Sequence, residues 1–199
     1  MMKKLITKGI VLALITATSI SCGEQKPQTI EKEVVVEVSK GLDAKTLKLQ
    51  YDVHANTFSK NLSDISDAEA NKRINNANSL AWIVGHTLDL QYNLAMLTGQ
   101  ATENPYAEQF GFGKPFDEKA KYPSLSKMTE DWDTLSPKIS EALGKLTEEQ
   151  LNGKAPFPLP IAEQTMRGLF AFQMHHLGYE FGQIGLYRKY LGKSAFSYQ

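Results

Sequence analysis

The residues best suited to chemistry lie near the end of the chain, in residues 169–191. His176 and Glu180 are one helical turn apart there, so their side chains share one face, with Cβ atoms about 5–6 Å apart. A carboxylate on a core-facing stripe is costly unless a cation or a metal ion compensates it. The pair therefore predicts two ligands of a metal site. The stripe they share has the helical period and comprises Met166, Leu169, Gln173, His176, Glu180, Ile184, Tyr187 and Leu191.

A third ligand is expected from an earlier helix. His86 shares an apolar stripe with Ser79, Ile83, Leu90, Leu94 and Leu97, so it is predicted to face the core. Two imidazoles and a carboxylate with open positions are typical of a catalytic site for a divalent ion, whereas structural sites are closed. The alternative is that His86 is a core histidine hydrogen-bonded to its neighbours.

Other polar groups leave alternatives open. His175 lies about 100° round the helix from its neighbour and is a second-choice ligand. His54 is predicted to face inward on the first helix, as a fourth ligand or as a group that orients the ligands. Glu180 could instead form a buried ion pair with Arg167 or Arg188, although neither lies on its stripe.

The apolar spacing predicts an all-α domain, a four-helix bundle with long connections, over residues 41–199. Facing helices of such bundles commonly assemble metal sites in the interior. Pro137 is expected to bend the third helix, and residues 100–123 form an irregular connection of the kind that lines a site. The predicted helices cover residues 42–61, residues 68–98, a segment from Ser124, and residues 161–192, with the proline-rich residues 151–160 excluded from helix.

The N-terminal residues predict export and anchoring. Residues 1–21 have a basic start, an apolar run and small residues before Cys22, as a secretory signal does. The single cysteine falls where a bacterial lipoprotein is cleaved and acylated, although Ser19 replaces the usual leucine of that motif. Residues 22–40 then read as the acylated cysteine and a flexible tether, and the alternative is an ordinary signal peptide cut nearby.

Charge and composition limit the partners. The formal charge is zero, and removing residues 1–21 removes three lysines and no acid, which leaves 19 basic and 22 acidic groups, or a charge of −3. We find no basic stripe and no zinc-finger spacing, so no nucleic-acid partner is predicted. The expected partners are a lipid membrane at the cell envelope, on its periplasmic or surface face, and an unidentified small molecule. A homodimer stays open.

The domain resembles the DinB-like (DinB/YfiT) metal-binding four-helix bundles over residues 42–199. The segment NSLAWIVGH, which ends in His86, is similar to the family's second helix with its histidine ligand. The segment HLGYEFGQI, from His176 to Ile184, is similar to the family pattern His-Glu-x-Tyr-His-x-Gly-Gln. The matching positions are Tyr179, Gly182, Gln183, and further on Arg188 and Gly192.

The resemblance implies a divalent metal ion, with one departure from the family. His176 takes the place of the family's second ligand, but the third histidine is Glu180 here. Glutamate is a harder ligand than imidazole, so the expected preference moves from nickel or zinc toward zinc, manganese or iron. Family members include transferases and isomerases that use low-molecular-weight thiols, in which the metal lowers the pKa of a bound thiol or water.

Two functions follow from these observations. The first is an envelope-anchored, metal-dependent hydrolase or thiol-dependent transferase with His86, His176 and Glu180 as ligands. The second is a non-catalytic helical lipoprotein that binds a small ligand or a partner, with a degenerate metal site whose polar groups only hold hydrogen bonds. Loss of thermal stability on adding a chelator separates the first from the second.

Overall fold

The computed structural model describes residues 41–195 and residue 197. Within them the chain is helical and no strand is formed, which confirms the all-α prediction. The predicted signal peptide (1–21) and tether (22–40), including Cys22, lie outside the described residues. The seven helices described are α1 (Ala44–Leu62), α2 (Asp67–Asn71), α3 (Leu80–Leu97), α4 (Ala107–Phe110), α5 (Leu125–Gly144), α6 (Glu148–Asn152) and α7 (Met166–Tyr190).

The four long helices, α1, α3, α5 and α7, each begin at a side-chain cap. A short oxygen-bearing side chain before each helix accepts a hydrogen bond from the backbone N–H three residues later, which satisfies a donor that the helix leaves unpaired. Their caps are Asp43, Ser79, Ser124 and Thr165.

The second predicted helix, over residues 68–98, is wrong in its first third. The structure has the short α2 and then a non-helical segment before α3 begins at Leu80. Asn75 has φ 52°, a left-handed conformation that interrupts a helix. The Arg73 guanidinium donates to the carbonyls of Asn76 and Ala77 at 3.0 and 2.8 Å, which holds this segment in place.

The last helix begins later than predicted, at Met166, because Thr165 caps it and Gln164 bonds to the carbonyls of the preceding turn. The excluded residues 151–160 are non-helical except for the first two, which end the short α6. Helix α5 continues through Pro137. The bend expected there stays a prediction.

Helices α3 and α7 are antiparallel neighbours, and so are α1 and α5. The Tyr187 hydroxyl near the end of α7 donates to the carbonyl of Asn78, just before α3. Between α1 and α5, Ser59 donates to Asp133 at 2.7 Å, and Ser140 donates to Asp52. These contacts fix which turns of the facing helices meet.

The core lies between the four long helices. The rings of Phe58 and Trp132 stack with their centroids 4.1 Å apart, and both side chains are buried. Tyr51 donates to Gln91 at 3.0 Å, and Gln91 in turn donates to Ser136 at 3.0 Å, so a buried polar chain links α1, α3 and α5. None of the helices among the described residues has the length and apolar character needed to cross a membrane.

Candidate metal centre

The facing surfaces of α3 and α7 bring the three predicted ligands together. His86 on α3 and His176 and Glu180 on α7 each offer a ligand atom, and these atoms all lie within 4.8 Å of one another. The cluster includes no other His, Cys, Asp or Glu of the described residues. Two segments separated by about 90 residues of sequence therefore meet because α3 and α7 pack antiparallel in the register described above.

The contacts of His86 fix its ring and its proton. Its Nδ1 lies 2.7 Å from the carbonyl oxygen of Phe110, and its ring stacks on Trp82 with centroids 5.1 Å apart. A carbonyl can only accept a hydrogen bond, so Nδ1 carries the proton of the neutral ring. The lone pair of Nε2 is then free for a metal ion, an arrangement common among metal-binding histidines.

Glu180 is the most deeply placed member of the cluster. It is only 2% exposed, whereas the side chain of His176 is 28% exposed, so the site opens to solvent on the histidine side. Its Oε1 lies 3.4 Å from His176 Nε2, and its Oε2 accepts a hydrogen bond from Gln183 Nε2 at 2.6 Å. The buried carboxylate therefore contacts one amide and one imidazole.

The arginine alternatives for Glu180 are wrong. Arg167 bonds to Glu148 at 2.8 Å, and Arg188 bonds to Asp64 at 2.5 Å. Among the described residues, no lysine or arginine lies within ion-pair distance of the Glu180 carboxylate. A buried carboxylate without a permanent cation is a strong attractor for a divalent ion, because desolvation of its charge is left uncompensated.

The spacing of the α7 pair fits a metal ion. Zinc lies about 2.1 Å from imidazole nitrogen and carboxylate oxygen, so two ligands at the tetrahedral angle are about 3.4 Å apart. The His176 and Glu180 ligand atoms already have this separation, 3.4 Å. The ligand atoms of all three residues lie within 4.8 Å of one another, so a small side-chain movement would bring His86 to the same ion. The residues present fit the ion that the sequence predicts.

His54 and His175 lie outside the cluster. His175 is exposed, and His54 is partly buried against the ring of Phe181, with centroids 4.5 Å apart. Burial lowers the pKa of His54 from 6.5 to about 4, and its Nδ1 has no hydrogen-bond partner. Both histidines line a surface pocket between α1 and α7, together with Leu42, Gln50, Val53, Ala171 and Met174.

Sequence reasoning missed two groups that contact or adjoin the cluster. The Phe110 carbonyl gave no signal, because it is a backbone atom of a long connection. Asp89 could have been noticed, since it follows His86 by three residues and so shares its face. Asp89 is 3% exposed, and this burial raises its pKa. Hydrogen bonds from Asn104 and Asn93 and the proximity of the two cluster histidines act to lower the pKa but do not offset the burial.

The model of the DinB superfamily matches residues 50–184, about two thirds of the chain, and this stretch contains all three cluster residues. No curated protein sequence matches the chain.

Proposed function

This chain belongs to the DinB superfamily, and from that premise we propose that it binds one divalent metal ion through His86, His176 and Glu180. The observation that carries the proposal is the buried Glu180 carboxylate, which lies 3.4 Å from an imidazole nitrogen and has no lysine or arginine partner among the described residues. Zinc, manganese and iron suit two imidazoles and a carboxylate better than nickel does.

The chain's own groups have distinct roles in this site. His86 presents Nε2, because Phe110 holds the proton on Nδ1. Gln183 donates to Oε2 of Glu180, which leaves Oε1 directed at His176. The partial exposure of His176 gives small molecules access from solvent. A divalent ion on three protein ligands keeps positions open and supplies Lewis-acid chemistry.

That chemistry supports a metal-dependent hydrolase or a thiol-dependent transferase. The carboxylate ligand reduces the net charge of the centre compared with three histidines, so the site acidifies a nucleophile less strongly than a three-histidine site does.

Metal binding is tested by titrating chelator-treated protein with Zn²⁺ in competition with a chromophoric chelator. We expect one equivalent per chain and a loss of about 10²-fold or more in affinity for His176→Ala. His175→Ala is a matched control, because it removes the exposed imidazole of the preceding residue. We expect it to change the affinity by less than twofold. Equal affinities for the two variants would reject the proposed ligand set.

We also propose that the protein is anchored at the cell envelope through acylated Cys22. The support is the sequence of residues 1–22 alone. Cell fractionation tests it: the wild-type chain is expected with the membranes, and Cys22→Ala in the soluble envelope fraction. Equal distribution of both would contradict acylation.

A second candidate function is non-catalytic binding of a small ligand. The pocket between α1 and α7 favours it, because its walls are largely apolar and no charged side chain lines it apart from titratable histidines. This candidate predicts that a chelator leaves the melting temperature unchanged. A fall in melting temperature on chelation would instead support the metal centre.

A further inference from the structure

The hydrogen bond that orients His86 comes from a segment that is itself held by a buried polar network. Asn104 lies in the connection between α3 and α5, residues 98–124, six residues before Phe110. Its amide nitrogen lies 2.7 Å from Oδ1 of Asp89 and 3.1 Å from Oδ1 of Asn93. It also lies 3.2 Å from the carbonyl oxygen of Asp89.

Asp89 is placed to receive this segment. It follows His86 by one helical turn, it is 3% exposed, and its second oxygen accepts from Asn93 at 3.2 Å. A buried carboxylate needs such donors, because an unsatisfied charge in the interior is costly. The contact between α3 and the connection therefore needs an acceptor oxygen on the side chain at position 89 and an amide donor at position 104.

The same segment is fixed on both sides of Asn104. Oδ1 of Asn104 accepts from the backbone N–H of Tyr106 at 3.0 Å, and the Tyr106 hydroxyl donates to Asp131 on α5 at 2.7 Å. The ring of Phe110 then lies against Gly85, where an added Cβ would be only 2.3 Å from the ring. This close approach brings the Phe110 carbonyl to His86.

We propose that Asp89 and Asn104 are positioning residues of the metal centre. Their hydrogen bond latches residues 104–110 onto α3, and the latched segment presents the Phe110 carbonyl that keeps the His86 proton on Nδ1. Asp89 thereby controls which nitrogen of His86 is free to bind. The predicted effect on metal affinity rests on the proposed function. The predicted effect on the position of the His86 proton does not.

The test uses the whole chain after treatment with a chelator. Long-range proton–nitrogen NMR identifies the protonated nitrogen of His86 in the wild type, Asn104→Ala, Asp89→Ala and Asp89→Asn. We expect the Nδ1–H form in the wild type and a mixture of both forms in the two alanine variants. Asp89→Asn keeps an acceptor for Asn104, so we expect it to restore most of the Nδ1–H form.

Zinc affinity is then measured on the same proteins. Changes in groups that orient a ligand typically reduce affinity by 10-fold to 100-fold, and we expect about that for Asn104→Ala. Gln109→Ala is the control, because Gln109 is exposed, belongs to the same connection and donates to the backbone carbonyl of Lys121 at 3.4 Å. The zinc affinity of this variant should stay within twofold of the wild type.

The outcomes separate the two proposals. A His86 ring in the Nδ1–H form in the wild type and equally in Asn104→Ala would overturn the latch, whatever the metal affinity. Should Asp89→Ala fail to fold, Asn104→Ala alone decides, since Asn104 is only partly buried. If the His86 proton is found on both nitrogens in the variants and the wild type does not bind zinc, the role of the Asp89–Asn104 hydrogen bond is supported and the metal function is rejected.

Discussion

The substitution Glu180→Gln should stabilise the metal-free protein and should reduce the stabilisation that a metal ion provides. The substitution keeps the shape of the side chain and an acceptor for the Gln183 amide, which now donates at 2.6 Å. It removes a negative charge that is 2% exposed and has no lysine or arginine partner among the described residues. Without metal, removal of that charge should stabilise the fold by about 1–3 kcal/mol.

With metal the same change removes a ligand. Structural zinc sites bind with about 10–16 kcal/mol over four ligands, so one ligand contributes about 2.5–4 kcal/mol, or about 10²–10³-fold in Kd. At a free Zn²⁺ concentration about 100 times the wild-type Kd, the wild type gains about 2.7 kcal/mol. A variant with an affinity about 100-fold weaker gains only about 0.4 kcal/mol.

Thermal unfolding followed by circular dichroism measures both effects. For a domain of this size 1 kcal/mol corresponds to about 2–4 °C, so Zn²⁺ should raise the wild-type Tm by about 5–11 °C and the variant's by about 1–2 °C. Glu149→Gln, an exposed glutamate on α6, is the control and should follow the wild type. The reasoning is refuted if metal-free Glu180→Gln is less stable than the wild type and Zn²⁺ shifts both proteins equally.

Two further predictions concern neighbouring packing. Burial lowers the pKa of His54 from 6.5 to about 4. Between these pH values the unfolded state binds more protons than the folded state, so the free energy of unfolding falls as the pH drops. From pH 7 to pH 5 this group should lower the free energy of unfolding by about 2 kcal/mol. Urea denaturation of His54→Gln should show a correspondingly smaller loss, and an equal loss in both proteins would contradict the assignment. Gly85→Ala places a Cβ 2.3 Å from the Phe110 ring and should cost about 1–3 kcal/mol in the same assay. Gly178→Ala, which meets no atom within 4 Å, should instead stabilise α7 by about 0.5–1 kcal/mol, and equal effects of the two would argue against close packing at Gly85.

The helical faces were predictable from apolar spacing. The stripe that contains His176 and Glu180 is buried or partly buried along its whole length, and the stripe with His86 faces it. The helical period of the apolar residues predicts which residues form each stripe, but it does not predict how α3 and α7 are aligned along each other. The meeting of His86 with the α7 pair depends on contacts such as Tyr187 with Asn78, which are separated by 109 residues and carry no sequence signal.

The errors lay where local backbone chemistry overrides spacing. The apolar spacing continues on both sides of Asn75 in the sequence, but Asn75 adopts a left-handed conformation and the chain is not helical there. The role of Phe110 could not be predicted, because its backbone carbonyl is delivered by an irregular connection whose path depends on Asn104 and Tyr106. The arginine partners considered for Glu180 were wrong, because Arg167 and Arg188 bond to other acidic residues through contacts that are distant in sequence.

The most direct test of the metal centre is metal analysis of the protein purified from the cells that naturally produce it. We predict one equivalent of a divalent transition metal ion per wild-type chain and a loss of that metal from His176→Ala, with His175→Ala retaining it. Absence of stoichiometric metal from the wild type, or equal metal in His176→Ala, would contradict the account.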